Sequence, residues 1–536
     1  MSAYHPQLQT LQDVVSFHAA ARPDHPAVRC EDRRITYREL DEASSRIARA
    51  VRAAGLPPGA RLAYLGKESE HYYEILFAAA KSGTVLVPIN WRLAPGEVSH
   101  ILTDSRTGIL FVEDEFAEQA ARVTAELEPA PLTVRLDGPG GRGAGLRAFA
   151  VGGTGSAAVD VSAAGVGEDL GGGGPEIPVA QLYTSGTTGL PKGVVLAQRS
   201  FFAVRDALAG AGLNWIDWRD DDVALIGIPG FHIGGLWWAT QGFAAGATLV
   251  ALRMFVSSDA ITAIERHRVT TACVVPAMLQ MMLSEPGLDV SRLASLRKVV
   301  YGGSPISETL LKQCVDEIGC DFAQIYGLTE TGNTAVCLPP EAHVGADPRP
   351  RAAGRPYPGI EVKVIDGAGR PLPTGEIGEI CLRTPARMVE YWQLPEATAR
   401  TLVDGWIHTG DAGYVDPDGF IYICDRIKDT IIVAGENVYP AEVESALARH
   451  PAVLEAAVVG VPHEQWGEAV HAFVVFRPEL HAKPRELMLF LRGEIGSFKI
   501  PTSYEEIDVL PRNPSGKILR RALRDRFWSD MARQVN

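Results

Sequence analysis

Cysteine is scarce in this sequence, and no two cysteines are spaced as a pair. The 536 residues include seven cysteines, with no C-x-x-C pair and no histidine and cysteine spacing of the kind that binds zinc. Neither a disulfide framework nor a zinc site is therefore indicated, and reduced thiols in a cytoplasmic protein are the simplest interpretation. The first twenty residues also lack a basic stretch followed by an apolar one, so no secretion signal is predicted.

Positively charged residues are also fewer than negatively charged ones. The chain has 51 lysines and arginines against 65 aspartates and glutamates, a formal net charge of −14. Nucleic acid is not expected as the main partner, because phosphate backbones require a basic face. A nucleotide remains compatible, since it needs only a few local donors. The hydrophobic content of 46% is that of a globular protein, and a chain of this length is expected to form at least two domains.

One long stretch lacks charge altogether. From Val223 to Leu252 there is no Asp, Glu, Lys or Arg, which is long enough to cross a bilayer. The stretch is interrupted, however, by Pro229, His232, Gln241 and several glycines. That composition favours a strand, a turn and a buried helix over one continuous membrane span. No transmembrane segment is therefore predicted.

The first part of the chain alternates helical and strand patterns. Helices are predicted over Tyr37–Ala54 and His71–Ser82, and strands over Arg61–Leu65 and Gly108–Val112. This alternation predicts an α/β fold with substantial parallel sheet. The glycine- and alanine-rich residues 138–174 are predicted to form a flexible surface connection. Their G-P-G-G-R-G opening matches a dinucleotide fingerprint only formally, because no helix start follows it.

The second part of the chain changes character twice. Between residues 360 and 425 the runs E-V-K-V-I-D, G-E-I-G-E-I-C-L-R and G-F-I-Y-I-C-D predict a β-rich subdomain. The remaining residues predict a small α+β unit, with helices over Val438–His450 and Arg485–Ile495 and strands over Val453–Val461 and Val470–Phe476. We therefore predict an N-terminal domain over residues 1–425 and a C-terminal domain over residues 426–536, with a hinge at 426–428.

The strongest motif is Y-T-S-G-T-T-G-L-P-K-G, from Tyr183 to Gly193. An apolar run precedes it, so we expect a strand that leads into a loop rich in hydroxyl groups and glycine. Such a loop, with the charge of Lys192, suits a polyphosphate. The alternative interpretation, a Ser/Gly linker, is disfavoured because such linkers rarely contain so much threonine. A P-loop is excluded, because it needs glycine directly before the lysine and Ser or Thr after it, whereas Lys192 lies between Pro191 and Gly193.

This motif resembles the phosphate-binding signature of the ANL superfamily, which comprises acyl-CoA synthetases, peptide-synthetase adenylation domains and beetle luciferases. The other motifs of the superfamily occur in their usual order between Thr36 and Lys517, so the resemblance covers nearly the whole chain. N-W-R-L at Asn90–Leu93, Y-G-L-T-E-T at Tyr326–Thr331 and G-E-N-V-Y-P at Gly435–Pro440 most resemble bacterial fatty-acyl-CoA synthetases. The resemblance implies a large α/β N-terminal domain of several subdomains with parallel sheets, a small β-rich subdomain, and a small mobile α+β C-terminal domain.

The resemblance also implies ATP, Mg²⁺ and CoA as cofactors. Tyr326 would lie against the adenine, Asp411 and Arg426 would reach the ribose, and Glu330 would hold Mg²⁺, a hard cation that favours carboxylates. The implied catalytic residues are Lys517, Glu330, His232 and Thr184. The implied ATP- and AMP-binding residues are Thr184, Ser185, Gly186, Thr187, Thr188, Gly189, Lys192, Gly303, Ser304, Pro305, Tyr326, Gly327, Thr329, Asp411, Arg426 and Lys517.

The acyl and thiol sites follow from the same resemblance. His232 would lie between the acyl pocket and the CoA tunnel, Gly435 would line the thiol's path, and Lys428 would be the hinge residue, where many relatives have aspartate. Gly234 and Gly235 are expected to open space for an acyl group, which the neighbouring tryptophans would fill or stack against. The implied acyl-pocket residues are His232, Gly234, Gly235, Trp237, Trp238, Val275, Gly302 and Gly303.

The sequence is thus expected to encode an acid–thiol ligase that forms an acyl adenylate from a hydrophobic acid and transfers the acyl group to CoA by domain alternation. Loading of a separate acyl carrier protein, a single half-reaction, and a non-catalytic acyl-nucleotide-binding protein stay open as alternatives, as does the oxygenase chemistry of luciferases. A serine hydrolase is not supported, because no G-x-S-x-G occurs. These motifs determine neither which acid is activated nor the oligomeric state, for which a homodimer is one alternative.

Overall fold

The computed structural model describes residues 3–137, 141–151, 174–184, 190–344, 347–512 and 518–528. The strands are β1 (Pro26–Cys30), β2 (Arg33–Thr36), β3 (Arg61–Leu65), β4 (Val85–Ile89), β5 (Thr107–Val112), β6 (Leu132–Arg135), β7 (Pro178–Thr184), β8 (Lys192–Ala197), β9 (Val223–Ile226), β10 (Thr248–Ala251), β11 (Thr271–Val274), β12 (Lys298–Gly302), β13 (Asp321–Tyr326), β14 (Val336–Leu338), β15 (Arg355–Pro356), β16 (Glu361–Ile365), β17 (Gly378–Arg383), β18 (Glu390–Tyr391), β19 (Leu402–Val403), β20 (Trp406–Val415), β21 (Ile421–Arg426), β22 (Ile431–Val433), β23 (Glu436–Val438), β24 (Val453–His463), β25 (Gly467–Phe476) and β26 (Ser503–Glu506).

The helices alternate with these strands through much of the chain. They are α1 (Leu11–Ala21), α2 (Tyr37–Ala53), α3 (Glu70–Ser82), α4 (Pro95–Ser105), α5 (Ala117–Thr124), α6 (Ala144–Ala150), α7 (Arg199–Gly210), α8 (Ile233–Ala245), α9 (Ser257–His267), α10 (Pro276–Leu283), α11 (Glu308–Ile318), α12 (Pro395–Thr401), α13 (Pro440–Leu447), α14 (Pro484–Leu491) and α15 (Arg520–Trp528).

Two large sheets form the body of the fold. One has seven strands in the order β18-β8-β7-β4-β3-β5-β6, and the other has nine in the order β15-β14-β13-β12-β11-β9-β10-β1-β2. The central pairs, such as β3–β4 and β11–β12, are parallel, as is β5–β6 at one edge, whereas pairs near the other edges, such as β14–β15 and β7–β8, are antiparallel. Buried parallel strands connected by helices are the α/β arrangement that the alternating patterns predict, and that prediction is confirmed.

The helix starts follow ordinary capping chemistry. Thr36 caps α2, because its hydroxyl accepts from the backbone N–H of Glu39, while the Glu39 carboxylate accepts from the N–H of Thr36 at 2.7 Å. This reciprocal pair satisfies two backbone donors that a helix start would otherwise leave open. The predicted helix over Tyr37–Ala54 is confirmed to within one residue.

Part of the glycine- and alanine-rich segment is ordered, which corrects the prediction of a flexible connection over residues 138–174. Within its described residues, α6 buries Leu146 and Phe149, each 2% exposed. The ring of Phe149 packs edge-on against Phe111 of β5, with centroids 5.7 Å apart. Burial of these two apolar side chains against the sheet outweighs the low helix propensity of the surrounding glycines. Residues 152–173 lie outside the described part of the chain.

The uncharged stretch from 223 to 252 forms β9, α8 and β10, as predicted. Both strands are internal to the nine-stranded sheet, and α8 is buried along most of its length. The absence of charge therefore reflects burial within the protein. Among the described residues no helix is both long and apolar enough to traverse a bilayer.

Two smaller sheets complete the fold. The β-rich region between 360 and 426 forms a five-stranded sheet in the order β16-β17-β20-β19, with β21 paired to β20. The C-terminal region forms another, in the order β23-β22-β25-β24, with β26 paired to β25. The first sheet ends at Arg426 and the second begins at Ile431. The domain boundary and hinge at 426–428 stay a prediction.

The packing of α6 generates a stability test. Phe149→Ala is expected to lower the free energy of unfolding by about 3–5 kcal/mol, because it leaves a cavity beside Phe111. Val151→Ala, at a site 70% exposed, should change it by less than about 0.5 kcal/mol. Urea unfolding of the two variants would measure the difference. Equal stabilities would mean that α6 does not pack on the sheet in solution.

Candidate active site

The threonine-rich motif begins where a strand hairpin reaches the edge of the seven-stranded sheet. Thr184 ends β7 and Lys192 begins β8, and these two residues face each other in the antiparallel register. The loop that joins them, with Ser185, Gly186, Thr187, Thr188 and Gly189, lies outside the described residues. The hairpin holds the two ends of this loop close together, with Thr184 and Lys192 both partly exposed.

A glycine-rich turn at residues 302–305, with the sequence G-G-S-P, begins at the last residue of β12. A side chain at Gly302 would meet the carbonyl oxygen of Ile325 at 2.4 Å, so this glycine allows β12 and β13 to lie close together. Gly303 has φ +80°, a left-handed conformation that favours glycine. Its missing side chain would lie 3.6 Å from Cγ1 of Val275. Gly303 and Pro305 are exposed and Ser304 is partly exposed, so the turn is open to solvent.

Tyr326, Asp411 and Arg426 form one hydrogen-bonded cluster. The Tyr326 hydroxyl donates to Oδ2 of Asp411 at 2.7 Å, and Nε of Arg426 lies 2.6 Å from Oδ1 of the same carboxylate. Asp411 is 3% exposed. Burial, and then the nearby Asp411 carboxylate, raise the pKa of Tyr326 well above its usual value. The sequence motifs predicted these three residues as one nucleotide site, and the fold brings them together.

Asp411 lies in the middle of β20. Its backbone N–H donates to the Thr409 hydroxyl at 3.0 Å, and the Thr409 hydroxyl donates to the carbonyl of Ile380 at 2.7 Å. Glu379 accepts from the N–H of Gly410 at 3.0 Å. Contacts with β17 on one side and Arg426 of β21 on the other therefore fix the Asp411 carboxylate.

Glu330, the predicted magnesium ligand, has a partner that the sequence did not reveal. The hydroxyl of Tyr391 donates to Oε1 of Glu330 at 2.6 Å, and Nζ of Lys192 lies 5.3 Å from the centre of the Tyr391 ring. Tyr391 belongs to β18, which pairs with β8, so the strand that carries Lys192 also positions Tyr391. No adjacent motif marked Tyr391, because its contact with Glu330 spans 61 residues.

The surroundings of Glu330 fit a hard cation. Its carboxylate is partly exposed, and no hydrogen bond from the described residues reaches its second oxygen. Burial alone would lower the pKa of Arg426, but the charges of Asp411, Tyr326 and Glu330 raise it overall, so these groups share one electrostatic environment. A carboxylate oxygen beside bound phosphates is the ligand set that Mg²⁺ prefers.

His232 precedes α8 and is largely shielded from water. Burial, with a smaller contribution from the charge of Arg92, lowers the pKa of His232 to about 4, so its ring is neutral at neutral pH. Its Nε2 is buried and has no hydrogen-bond partner among the described residues. A buried nitrogen without a partner is unfavourable, so this atom keeps an unused capacity for a hydrogen bond. The ring of Tyr72 fills the space that a side chain at Gly230, two residues before His232, would occupy. The Tyr72 hydroxyl donates to the carbonyl of Gly230 at 2.8 Å.

The two adjacent glycines near the start of α8 have different roles, which corrects one prediction. A side chain at Gly235 would meet the carbonyl oxygens of Ile228 and Pro229 at 2.1 and 2.5 Å, so Gly235 permits close backbone packing and does not open an acyl pocket. A side chain at Gly234 would make only ordinary contacts, at 3.4 Å from Cδ1 of Ile228 and 3.8 Å from Oδ1 of Asn333. Gly234 therefore faces the segment that follows Tyr326.

Asn333 is a further residue that the sequence analysis missed. It is 9% exposed, has φ 90°, and its side-chain nitrogen has no partner among the described residues. Asparagine adopts this left-handed conformation more readily than most residues. In the sequence, the only indication of such a turn was the glycine that precedes it, Gly332. The Asn333 amide lies beside Gly234, near the motif that begins at Tyr326.

The remaining predicted site residues are more dispersed. Trp237 and Trp238 are 2% and 1% exposed and belong to the main core cluster, and Val275 is 7% exposed beside Gly303. Gly327 packs closely against the backbone of the loop that contains Asn333, and Thr329 is partly exposed in the short turn that carries Glu330.

The predicted hinge and thiol-path residues lie in the C-terminal region. Lys428 is exposed in a short turn between β21 and β22, and Gly435 is exposed with φ +89°. Together with Ala434 at φ 51°, Gly435 forms the two-residue turn of the β22–β23 hairpin, so the hairpin itself favours glycine there. Lys517 lies outside the described residues.

Comparisons with known proteins agree with this geometry. Residues 15–392 match the model of the AMP-binding enzyme family, and residues 442–517 match that of the AMP-binding enzyme C-terminal domain. The chain is 62% identical over 533 residues to the fatty acid–[acyl-carrier-protein] ligase ScoC of Streptomyces coeruleorubidus, covering 99% of each chain. It is 36% identical to a feruloyl-CoA synthase of Amycolatopsis sp., covering 95% of this chain and 97% of that one.

A solved structure is also similar to this chain over nearly its whole length. The o-succinylbenzoate CoA synthetase MenE of Bacillus subtilis, in complex with the acyl-adenylate intermediate OSB-AMP, is 31% identical with a TM-score of 0.80. The similarity covers 98% of this chain and 99% of that one. The similarity therefore extends over the whole fold, including the small C-terminal sheet.

The two adjacent glycines of α8 allow a matched test. Gly235→Ala is expected to destabilise the protein by about 1–3 kcal/mol, because its methyl group would overlap two carbonyl oxygens. Gly234→Ala should be neutral or stabilising by up to about 1 kcal/mol, since alanine favours helix and its methyl group would make only ordinary van der Waals contacts. Thermal unfolding of both variants would measure this. If Gly235→Ala proved as stable as Gly234→Ala, the close approach of α8 to Ile228 would be wrong.

The Asp411 cluster generates a binding test. Asp411→Asn keeps the shape of the side chain but removes the charge that pairs with Arg426, so ATP affinity should fall by about ten- to hundredfold. Isothermal titration calorimetry with ATP would measure the change. Asp404→Asn, at an exposed position before β20, is the matched control and should bind like the wild type. Unchanged affinity in Asp411→Asn would remove Asp411 from the nucleotide site.

Proposed function

This chain belongs to the AMP-binding enzyme family of adenylate-forming ligases, and we propose that it transfers an activated fatty acid to the thiol of an acyl carrier protein. The observation that carries the first step of this proposal is the shared Asp411 carboxylate, held between Tyr326 and Arg426. A buried carboxylate beside an aromatic ring suits a nucleoside, because it accepts from the sugar while the ring contacts the base.

The proposed nucleotide position follows from what each group leaves free. The Tyr326 hydroxyl is engaged with Asp411, so the face of its ring is the part available to adenine. Each carboxylate oxygen can accept more than one hydrogen bond, so Asp411 can bind the ribose hydroxyls while it keeps both protein partners. The exposed turn of Gly303 and Ser304 supports this placement, since its backbone allows close approach of a flat ring.

The triphosphate would lie between Lys192 and Glu330. Lys192 and the threonine-rich loop supply a positive charge and hydroxyl donors, and Glu330 would hold Mg²⁺ together with phosphate oxygens. The bound cation would neutralise part of the phosphate charge. Tyr391 holds the Glu330 carboxylate in place through its hydroxyl. In this proposal Tyr391 is a positioning residue for the metal ligand.

In the first half-reaction, an oxygen of the acid's carboxylate attacks the α-phosphorus of ATP. The bond between that phosphorus and the bridging oxygen of pyrophosphate breaks, which leaves an acyl adenylate. Carboxylate and phosphate repel each other, so a cation that bridges them stabilises the transition state most. Lys517 is proposed for this role. The neutral His232 ring, with its unpartnered Nε2, supports a role in placing the acid through a hydrogen bond rather than through charge.

In the second half-reaction, a thiol sulfur attacks the carbonyl carbon of the acyl adenylate, and the bond to the AMP oxygen breaks. The proposal places Gly435 on the path of this thiol and Lys428 at a hinge that exchanges the two steps. A carrier protein is the preferred acceptor, because the relative at 62% identity is named as an acyl-carrier-protein ligase. CoA is the second candidate, because relatives at 36% and 33% identity are named as CoA synthases or ligases.

The acceptor can be tested in one experiment. The full-length protein would be supplied with ATP, Mg²⁺ and hexanoate, and then with either CoA or the phosphopantetheinylated carrier protein of a related bacterium. Pyrophosphate release reports the first half-reaction, and mass spectrometry of the thioester reports the second. We expect pyrophosphate release in both reactions and a kcat/KM at least about tenfold higher for the carrier protein.

The two parts of the proposal fail separately. A kcat/KM for CoA equal to or above that for the carrier protein would make CoA the acceptor. An acyl adenylate that accumulates with both thiols would restrict the protein to the first half-reaction. Lys517→Ala is the control for the chemistry, because it should abolish pyrophosphate release and still convert supplied acyl adenylate to thioester. Loss of both steps in a folded Lys517→Ala protein would contradict the assigned role.

A further inference from the structure

Three side chains that can bind a metal ion meet on one face of the β-rich sheet. Cys381 of β17 lies directly opposite His408 of β20 in the antiparallel register, and Glu379 precedes Cys381 by two residues. Opposed residues, and residues two apart on one strand, project to the same face of a sheet. One ligand atom from each of the three side chains lies within 4.8 Å of the other two. No short spacing links Cys381 to His408 in the sequence, so this set becomes visible only in the fold.

The distances in this set are close to those around a tetrahedral ion. Nδ1 of His408 lies 3.1 Å from Oε2 of Glu379. Two nitrogen or oxygen ligands of a tetrahedral zinc ion are about 3.3 Å apart, because each lies about 2.0–2.1 Å from the metal. The longer bond to sulfur, about 2.3 Å, places a thiolate about 3.6 Å from the other ligands. Since no separation in the set exceeds 4.8 Å, the sulfur needs to move closer by about 1.2 Å at most.

An ion can reach these donors from solvent. The side chains of Glu379 and His408 are 21% and 25% exposed, whereas Cys381 is fully buried, so the thiol is the innermost of the three. Burial, and then the charge of Glu379, raise the pKa of Cys381 to about 12, so the thiol keeps its proton until a metal ion displaces it. Lys363, opposite Cys381 on β16, has its Nζ 4.5 Å from the centre of the Trp406 ring, so this cation is engaged with an aromatic ring of β20.

The set adjoins the irregularity of β20 that carries Asp411. The register of β17 against β20 shifts between Glu379 and Cys381. Oε1 of Glu379 accepts from the N–H of Gly410 at 3.0 Å, while Oε2 is directed to His408. A hydrogen bond between Glu379 and His408 would be sufficient to join the two strands, so this pair alone does not indicate a metal. The Cys381 thiol is a further donor that such a pair does not need, and it completes the three protein ligands of an open zinc site.

We propose that Glu379, Cys381 and His408 bind one zinc ion, with a water molecule as the fourth ligand. Mixed sulfur, nitrogen and oxygen donors suit Zn²⁺, whereas Mg²⁺ prefers oxygen ligands. On binding, Cys381 loses its thiol proton to the solvent, and a proton on Nδ1 of His408 moves to Nε2. The thiolate and the carboxylate together neutralise the two charges of the ion. The bound ion joins β17 to β20 next to Asp411.

The test uses Co²⁺ as a spectroscopic substitute for zinc. The full-length protein, cleared of metal with a chelator and kept reduced with a phosphine, would be titrated with Co²⁺ in the absence of ATP. We expect one Co²⁺ per chain, with a near-ultraviolet charge-transfer band from the thiolate. One equivalent of Zn²⁺ should abolish this band, because zinc binds such sites more tightly than cobalt. About a hundredfold excess of Mg²⁺ should leave the band unchanged, which separates this site from the one proposed at Glu330.

Substitution of each ligand should weaken the binding of Co²⁺. Cys381→Ser should lose the charge-transfer band. Glu379→Gln and His408→Gln should each lower the affinity for Co²⁺ by about a hundredfold or more, since even outer-shell partners of a metal contribute about 10- to 100-fold. Cys424→Ser is the matched control, because Cys424 is partly exposed but lies outside the set, and its spectrum should equal that of the wild type.

Each result decides for or against the zinc site. A wild type without a charge-transfer band, or a band that persists in Cys381→Ser, would overturn the proposal. Circular dichroism would show whether each variant is folded. If Cys381→Ser does not fold, the other two ligand variants decide, because unchanged Co²⁺ affinity in both Glu379→Gln and His408→Gln would also overturn the proposal. The readout needs neither ATP nor an acid, so it is independent of the proposed function.

Discussion

The shared carboxylate of Asp411 is the interaction on which the candidate site depends. It joins Tyr326, at the end of a strand of the nine-stranded sheet, to β20 and β21 of the β-rich sheet. Its burial makes every partner necessary, because a buried charge without a partner is strongly unfavourable. The site is therefore a junction between two sheets, and its position follows from their packing more than from any single loop.

The same strand extends this junction to the C-terminal region. Asp425 precedes Arg426 and accepts from the N–H of Ala441, at the start of α13, at 2.8 Å. Arg520 of α15 lies 3.6 Å from the other Asp425 oxygen and pairs with Glu444 at 2.6 Å. Burial raises the pKa of Asp425 to about 6, although Arg520 opposes the rise. Of these adjacent residues, Arg426 belongs to the candidate nucleotide site and Asp425 contacts the C-terminal unit, which provides a physical route for coupling the two.

Sequence reasoning predicted those features that local chemistry dictates. The α/β alternation, the strand limits of Arg61–Leu65 and the grouping of Tyr326 with Asp411 follow from periodicity and from motifs that a known family shares. It failed where contacts with residues distant in the sequence decide the structure. The need for glycine at position 235 comes from the carbonyl oxygen of Ile228. The hydrogen bond from Tyr391 to Glu330 joins residues far apart in the sequence, and α6 is stabilised by the ring of Phe111. No local pattern contains such contacts, because they depend on how complete sheets and helices pack.

The central claim is that the Asp411 cluster binds the nucleoside of an acyl adenylate. A crystal structure with a non-hydrolysable acyl-sulfamoyl adenosine tests it most directly, because this analogue occupies the nucleoside and acyl positions together. In that complex we expect ribose hydroxyls hydrogen-bonded to the Asp411 carboxylate and adenine against the Tyr326 ring. An adenosine bound elsewhere, with Asp411, Tyr326 and Arg426 still paired only with one another, would contradict the account.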